Sequence, residues 1–154
     1  MTMASPMSPD ADKMVEVVRA HSEAERRRDL DGTMATLVTH PVYALWNGLR
    51  IEGYDNVRES YRRQFEAEPT HRSLGSRGTI NTWAGNDSVV LEAEMAAPDP
   101  GGETRKFFVI ATFPFSDGLA TGEIISCPPE FEGLMTSRYP DYTDLATPKP
   151  EVKS

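Results

Sequence analysis

Residues 20–65, AHSEAERRRDLDGTMATLVTHPVYALWNGLRIEGYDNVRESYRRQF, decide the fold. They continue a helix that the sequence opens at Ser8-Pro9-Asp10, with serine as N-cap, proline at the first helical position and acidic residues in the first turn. Met14, Val17, Val18, His21, Ala24 and Arg28 fall at helical spacing, so this helix is amphipathic through about Arg28. Asp29 or Asp31 can cap a second, shorter helix whose inner face is Leu30, Met34, Leu37 and Val38, and Pro41 stops it. Residues 42–46 then read as a strand and residues 49–52 as its return. Asn47-Gly48 between them is a two-residue hairpin turn that needs positive φ at both positions. Asp55 or Asn56 caps a third helix carrying Val57, Tyr61 and Phe65 on one face, and Pro69 closes it.

Beyond Pro69 the hydrophobic period changes to two. Strands are expected near 70–83, 87–96, 104–115 and 119–126, separated by Gly85-Asn86, by Pro98-Asp99-Pro100-Gly101-Gly102 and by Ser116-Asp117-Gly118. Short turns between successive strands imply an antiparallel meander. The fold class is therefore α+β: a single domain in which a curved antiparallel sheet wraps around three N-terminal helices and encloses a pocket. Residues 1–7 are expected to be disordered, 8–127 to form the domain and 128–154 to form a tail. The first half of that tail, with Phe131, Leu134, Met135, Tyr139 and Tyr142, is too apolar for a plain linker. It is expected to pack over the domain or a partner, and the Pro/Lys-rich end to be disordered.

Composition narrows the function classes. At 154 residues the chain has room for one real core and not for two ordinary domains. No apolar run approaches the roughly 18 residues of a membrane span, and MTMASPMSPD lacks the basic start and apolar centre of a secretory signal. A formal charge of −8 argues against a nucleic-acid or anionic-membrane surface. The single cysteine, Cys127, excludes an internal disulfide framework and fits a reducing cytoplasm. The three histidines, His21, His40 and His71, stand at no metal-ligand spacing, so neither a metal nor a cofactor is expected.

The layout, with ERRRDLDGTMATLV, YALWNGLRIEG, DNVRESYRRQF and SDGLATGEIIS, resembles the nuclear-transport-factor-2-like superfamily, and within it the SnoaL-like branch named for polyketide cyclases. The resemblance covers roughly residues 11–127. It implies a cone-shaped α+β barrel around a mainly apolar cavity, and often a homodimer through the outer sheet face. It also implies several possible chemistries, among them isomerases, cyclases, epoxide hydrolases and dehydratases, beside non-catalytic binders. Two signature residues of that superfamily are replaced here. Ketosteroid isomerases place an aspartate where this chain has Leu45 or Trp46, and polyketide cyclases place one where it has Ser126 or Pro128, past Glu123 in ATGEIIS.

Candidate chemistry rests on few residues. His21 lies on the apolar stripe of the first helix with Glu25 one turn later, a spacing at which a carboxylate can orient an imidazole and raise its basicity. The position resembles the one from which isomerases present a tyrosine to a substrate carbonyl. The competing reading is a core histidine bonded to a backbone carbonyl. His71 opens the first long strand, where dehydratase-like and dehydrochlorinase-like members carry a general base paired with an aspartate of the first helix. This chain offers Glu25, Arg26 and Arg27 there instead. Glu92 and Glu94 share one strand face and read as its solvent side. His21, Glu25 and His71 are thus the expected catalytic group, with Tyr43 or Tyr61 as hydrogen-bond donor. Tyr43, Trp46, Tyr61, Phe65, Trp83 and Phe108 are the expected ligand wall. The function expected is cofactor-free general acid–base catalysis on a small hydrophobic molecule, by isomerisation, cyclisation, dehydration or hydration. The alternatives are a non-catalytic binder of a hydrophobic ligand and a homodimeric protein-interaction module.

Overall fold

The computed structural model describes residues 9–67 and 75–148, together with 151 and 153. Ser8, Pro69, His71 and the segment 1–7 lie outside the described residues. Helix α1 (Pro9–Arg27) buries a stripe of Ala11, Met14, Val18, His21 and Ala24. It stops because Arg28 turns left-handed, at φ 56°. The Arg28 N–H then bonds the Glu25 carbonyl and the Asp29 N–H bonds the Ala24 carbonyl, both at 2.9 Å, which satisfies the open helix end. Asp29 at once caps α2 (Leu30–Met34) by accepting the Gly32 N–H at 2.9 Å.

Helix α2 is shorter than its periodicity predicts. Leu37 and Val38, expected on its inner face, instead begin β1 (Leu37–Ala44), because the Ala120 N–H captures the Thr36 carbonyl at 3.1 Å and draws the chain into the sheet. Pro41 lies inside β1, at the register irregularity between Leu37 and Val42 where its missing N–H removes no ladder bond. The hairpin to β2 (Leu49–Glu52) also departs from expectation. Leu45 pairs with Leu49 (N···O 2.8 Å), the Gly48 N–H reaches back to the Leu45 carbonyl at 3.1 Å, and Gly48 alone is left-handed at φ 86°. This is a three-residue loop closed by a glycine bulge, which spares Asn47 the positive φ of a two-residue turn. Helix α3 (Tyr54–Glu66) takes Gly53, at φ 90°, as its N-cap, and not Asp55 or Asn56.

The long strands β3 (Gly75–Ala84), β4 (Ser88–Pro98), β5 (Thr104–Ser116) and β6 (Leu119–Ser126) form the meander. A short helix α4 (Glu132–Arg138) and strand β7 (Ala146–Pro148) follow. One sheet of seven strands runs β3-β4-β5-β6-β1-β2-β7. It is curved and open, with β3 and β7 at its edges, so the closed barrel of the expectation is corrected. It is also not wholly antiparallel, since β1 pairs β6 in parallel.

The concave face carries Val89, Met95, Phe107, Val109 and Phe113, with α1 packed across it and α3 lying against β1 and β2. Alternation sends their neighbours outward: Trp83 and Phe108, expected in a pocket wall, are 52% and 50% exposed on the convex face. Glu92 and Glu94 share that face, tied across strands to Asn81 at 2.7 Å and Lys106 at 3.5 Å. The segment after Cys127 packs over the cone. Phe131 stacks on Phe107 with centroids 4.6 Å apart, Met135 is fully buried, and β7 pairs β2. Arg63 of α3 clamps the segment through a two-pronged bond to Asp144 at 2.7 and 2.8 Å.

Candidate active site

The turn from α1 into α2 folds Thr36 back over His21, and α3 brings Tyr61 from the other side. His21 is 1% exposed. Its Nδ1 lies 2.7 Å from Thr36 Oγ1, and its Nε2 lies 3.0 Å from the Tyr61 hydroxyl and 3.3 Å from Glu25 Oε1. Tyr61 donates to Glu25 Oε1 at 2.7 Å and stands 2.9 Å from the Tyr43 hydroxyl of β1.

Counting hydrogens assigns the charge. The Thr36 hydroxyl gives its one proton to the Thr33 carbonyl at 2.7 Å, so it must accept from His21 Nδ1–H. The Tyr61 proton is committed to Glu25, so Tyr61 oxygen accepts from Tyr43 and from His21 Nε2–H. Both ring nitrogens therefore carry protons, and His21 is an imidazolium held against a Glu25 carboxylate. The pKa directions agree. Burial pulls His21 down, but the Glu25 charge and hydrogen bond outweigh it and leave the imidazole raised. Burial pushes Glu25 up, and His21 with Tyr61 more than reverse that, leaving it lowered.

Glu123 of β6 completes the cluster. One ligand atom from each of His21, Glu25 and Glu123 lies within 4.8 Å of the other two. Burial and the Glu25 charge, only partly offset by His21, push the Glu123 carboxyl up to about 8. Two neighbouring carboxyls thus hold different states near neutrality: Glu25 charged, Glu123 protonated. Burial also drives the Tyr43 and Tyr61 hydroxyls well above their ordinary range, so both remain neutral donors. Glu25 is a third exposed and Glu123 is half-buried, so the carboxyl side of the cluster meets solvent while His21 does not. The same donor set, one imidazole and two carboxylates, is of a kind that holds divalent cations, but His21 Nε2 is already committed to Tyr61 and Glu25.

The sequence-derived candidates divide. His21, Glu25, Tyr43 and Tyr61 meet in one network, and Phe65 packs on Tyr61 with centroids 5.5 Å apart. Trp46 lies apart, 8% exposed and tilted at 50° against Tyr139 with centroids 4.7 Å apart. Trp83 and Phe108 face away, and His71 falls outside the described residues. Glu123, which the sequence does not single out as catalytic, is followed by two isoleucines, Ile124 and Ile125, and parity alone does not say which of them turns inward. The sequence signal is the glycine inside the strand, Gly122, which takes φ 141° and lets the Val42 backbone of β1 approach closely at the residue before Glu123. Two clefts, of about 180 Å³ beside Trp46 and about 260 Å³ between α1 and β3–β4, lie outside the cluster.

No family model and no curated protein matches this chain. Solved structures do. A SnoaL-like polyketide cyclase, so described, from Jannaschia sp. CCS1 superposes with a TM-score of 0.69 at 17% identity, over 90% of this chain and all of its own. A protein described as a polyketide cyclase from Xanthomonas campestris pv. campestris gives 0.64 at 20% identity, over 84% and 98%. An LEH-like epoxide hydrolase of M. tuberculosis gives 0.64 at 22%, over 83% and 93%. At such identities the likeness is one of backbone, and it carries one conclusion: the chain has the nuclear-transport-factor-2-like fold in its SnoaL-like form.

Proposed function

We propose that this protein is a cofactor-free acid–base enzyme acting on a small, largely apolar molecule, with Glu123 as proton donor and Glu25, held by His21 and Tyr61, as the charged partner. The observation that carries the reading is the convergence of His21, Glu25 and Glu123 within 4.8 Å on the inner side of an otherwise apolar sheet. Glu123, protonated up to about pH 8, can hand a proton to a carbonyl or a leaving oxygen. Glu25 can receive one from carbon or water, while the imidazolium steadies the charge on either side of the exchange. Isomerisation, cyclisation, dehydration and hydration all need this pair of transfers. The solved structures described as polyketide cyclases and an epoxide hydrolase support a small-molecule reaction on this fold. His71 stays in the proposal as a second base, and Cys127 as a lone thiol fits a reducing cytoplasm.

The test is a ligand screen by thermal shift with steroids, terpenoids and polyketide-like aromatics, followed by product analysis for every hit. Glu123→Gln and Glu25→Gln are each expected to lower kcat by about 10²–10⁴-fold with binding retained. A turnover that survives both substitutions overturns the reading. One observation favours a binder instead: Thr36, His21, Tyr61 and Tyr43 already satisfy one another. Hits that bind tightly and are recovered unchanged would decide for it. We also propose a homodimer through the convex sheet face, supported by the exposed Trp83, Phe108, Ile110 and Ile124.

A further inference from the structure

The cleft of about 260 Å³ between α1 and the strands β3 and β4 shares no residue with the acid–base cluster. β3 is an edge strand. Its Thr79 and Thr82 pair with Ala93 and Leu91, which puts both on the inner side of the sheet, yet both are exposed, so α1 leaves this margin uncovered. The floor is aliphatic: Val18 and Val89 are buried, Val15 and Leu91 are half-buried, and no aromatic ring is among the described lining residues.

Two features are aimed at this space. The first is a bulge in β3. The register shifts between the pairs Thr79–Ala93 and Asn81–Glu92, so Ile80 is the extra residue between them. A bulge redirects a side chain, and here Ile80 joins the cleft wall while staying 50% exposed. The second is Arg19. Glu16 stands one turn before it on α1 and Glu23 one turn after, spacings at which helix ion pairs ordinarily form. Neither pair is made. Glu23 bonds Arg26 and Arg27, and Arg19 lines the cleft with no ion pair or hydrogen bond of its side chain among the described residues. Ser22, on the same helix face, and Thr79 and Thr82 across the cleft keep hydroxyls that are likewise unpartnered among the described residues. All four polar side chains are exposed, so a molecule entering the cleft reaches them.

We propose that this cleft binds an aliphatic monocarboxylate of medium chain length, its chain laid over the valines, Ile80 and Leu91 and its carboxylate on the Arg19 guanidinium, with the three hydroxyls as further donors. Charge, wall and size each select this class. The described lining holds one cation and no carboxylate, so the head group meets a positive charge although the chain as a whole carries −8. A guanidinium presents a planar fork of N–H groups that matches a carboxylate. Branched aliphatic walls favour a chain over an aromatic ring, which would find no ring to stack on. An apolar cavity of roughly 150 Å³ holds benzene, so 260 Å³ takes about ten non-hydrogen atoms, the size of octanoate.

The test is calorimetric titration of the protein with octanoate, with 1-octanol, which has the same chain and no charge, and with acetate, which has the head group and no chain. Saturable binding of octanoate is expected, about tenfold tighter than octanol, the worth of a charge-assisted hydrogen bond, with acetate far weaker than both. Arg19→Gln removes the charge at an exposed helix position, so the fold is retained, which far-ultraviolet circular dichroism verifies. In that variant the preference for octanoate over octanol is expected to vanish while octanol binding persists. Ile80→Asp, at the exposed bulge, puts a charge into the chain's wall and is expected to weaken both ligands. Equal affinities for octanoate and octanol in the parent, an undiminished preference in Arg19→Gln, unchanged binding in Ile80→Asp, or acetate bound as tightly as octanoate would each overturn the proposal. Because no lining residue belongs to the acid–base cluster, failure of that reading leaves this result standing, and the converse holds.

Discussion

At the scale of single residues, the protein's interior stores a proton where a surface carboxyl would have lost it. Glu123 is displaced from the ordinary 4.5 to about 8 by burial and by the Glu25 charge. The linkage has a definite sign. Between pH 4.5 and 8 the unfolded chain releases the Glu123 proton and the native protein keeps it, so stability is full below that window and falls as pH rises through it. His21, raised as well, acts in the same direction, whereas lowered Glu25 contributes stability that is lost on acidification. Melting temperatures of the parent are therefore expected to decline from about pH 5 to 8, and Glu123→Gln to flatten that decline. An unchanged slope in Glu123→Gln, measured across the same buffers, would remove Glu123 as the titrating group. The proposed function expects the same substitution to lower turnover, which would set stability and activity in opposition at one side chain.

At the scale of elements, the decisive junction is the parallel pairing of β1 and β6. Val42 pairs with Gly122 and Tyr43 with Glu123, so this one contact sets a network hydroxyl beside the raised carboxyl. Gly122 has φ 141°, and a Cβ there would lie 1.8 Å from the Val42 carbonyl oxygen. No side chain fits without parting the strands. Gly122→Ala is expected to cost at least about 2–3 kcal/mol by urea unfolding, from backbone strain together with the clash. Gly48→Ala is the control. It shares a positive φ of 86° but meets nothing within 4 Å, so it should cost about 1 kcal/mol from strain alone. Equal costs at the two sites would mean that the β1–β6 approach is not tight.

At the scale of the whole molecule, the open sheet has one face committed to helices and tail and one face bare. Register aligns Trp83 with Val90, Thr112 and Ile124 in one row, and Ile110 with Glu92 in the next, so the exposed apolar side chains are contiguous. A patch of this kind on a monomer is costly to leave in water. If the proposed dimer forms through this face, Phe108→Glu is expected to shift the mass measured by light scattering from dimer to monomer without altering circular dichroism. A parent that runs as a monomer at all concentrations would refute the dimer. No helix among the described residues is long and apolar enough to cross a membrane.

Much of this was legible in local sequence, because it depends on interactions within a turn or two. The stripe of Met14, Val18, His21 and Ala24, the strand meander over the described residues from 75 and the adjacency of His21 and Glu25 follow from 3.6 and 2.0 periodicity alone, while Arg28, read onto that stripe, is exposed beyond the helix end. Other features lay beyond any local pattern. The length of α2 was decided by a hydrogen bond from Ala120, more than eighty residues away in the chain, and the hairpin by Leu45 pairing with Leu49. Trp83 and Phe108 turned outward because the meander's register, set by cross-strand partners, gave the inner places to their neighbours. Above all, Glu123 joined His21 and Glu25 only when β6 lay down beside β1. Its pKa belongs to that assembled interior, since burial and a neighbouring charge exist only after the distant segments have met.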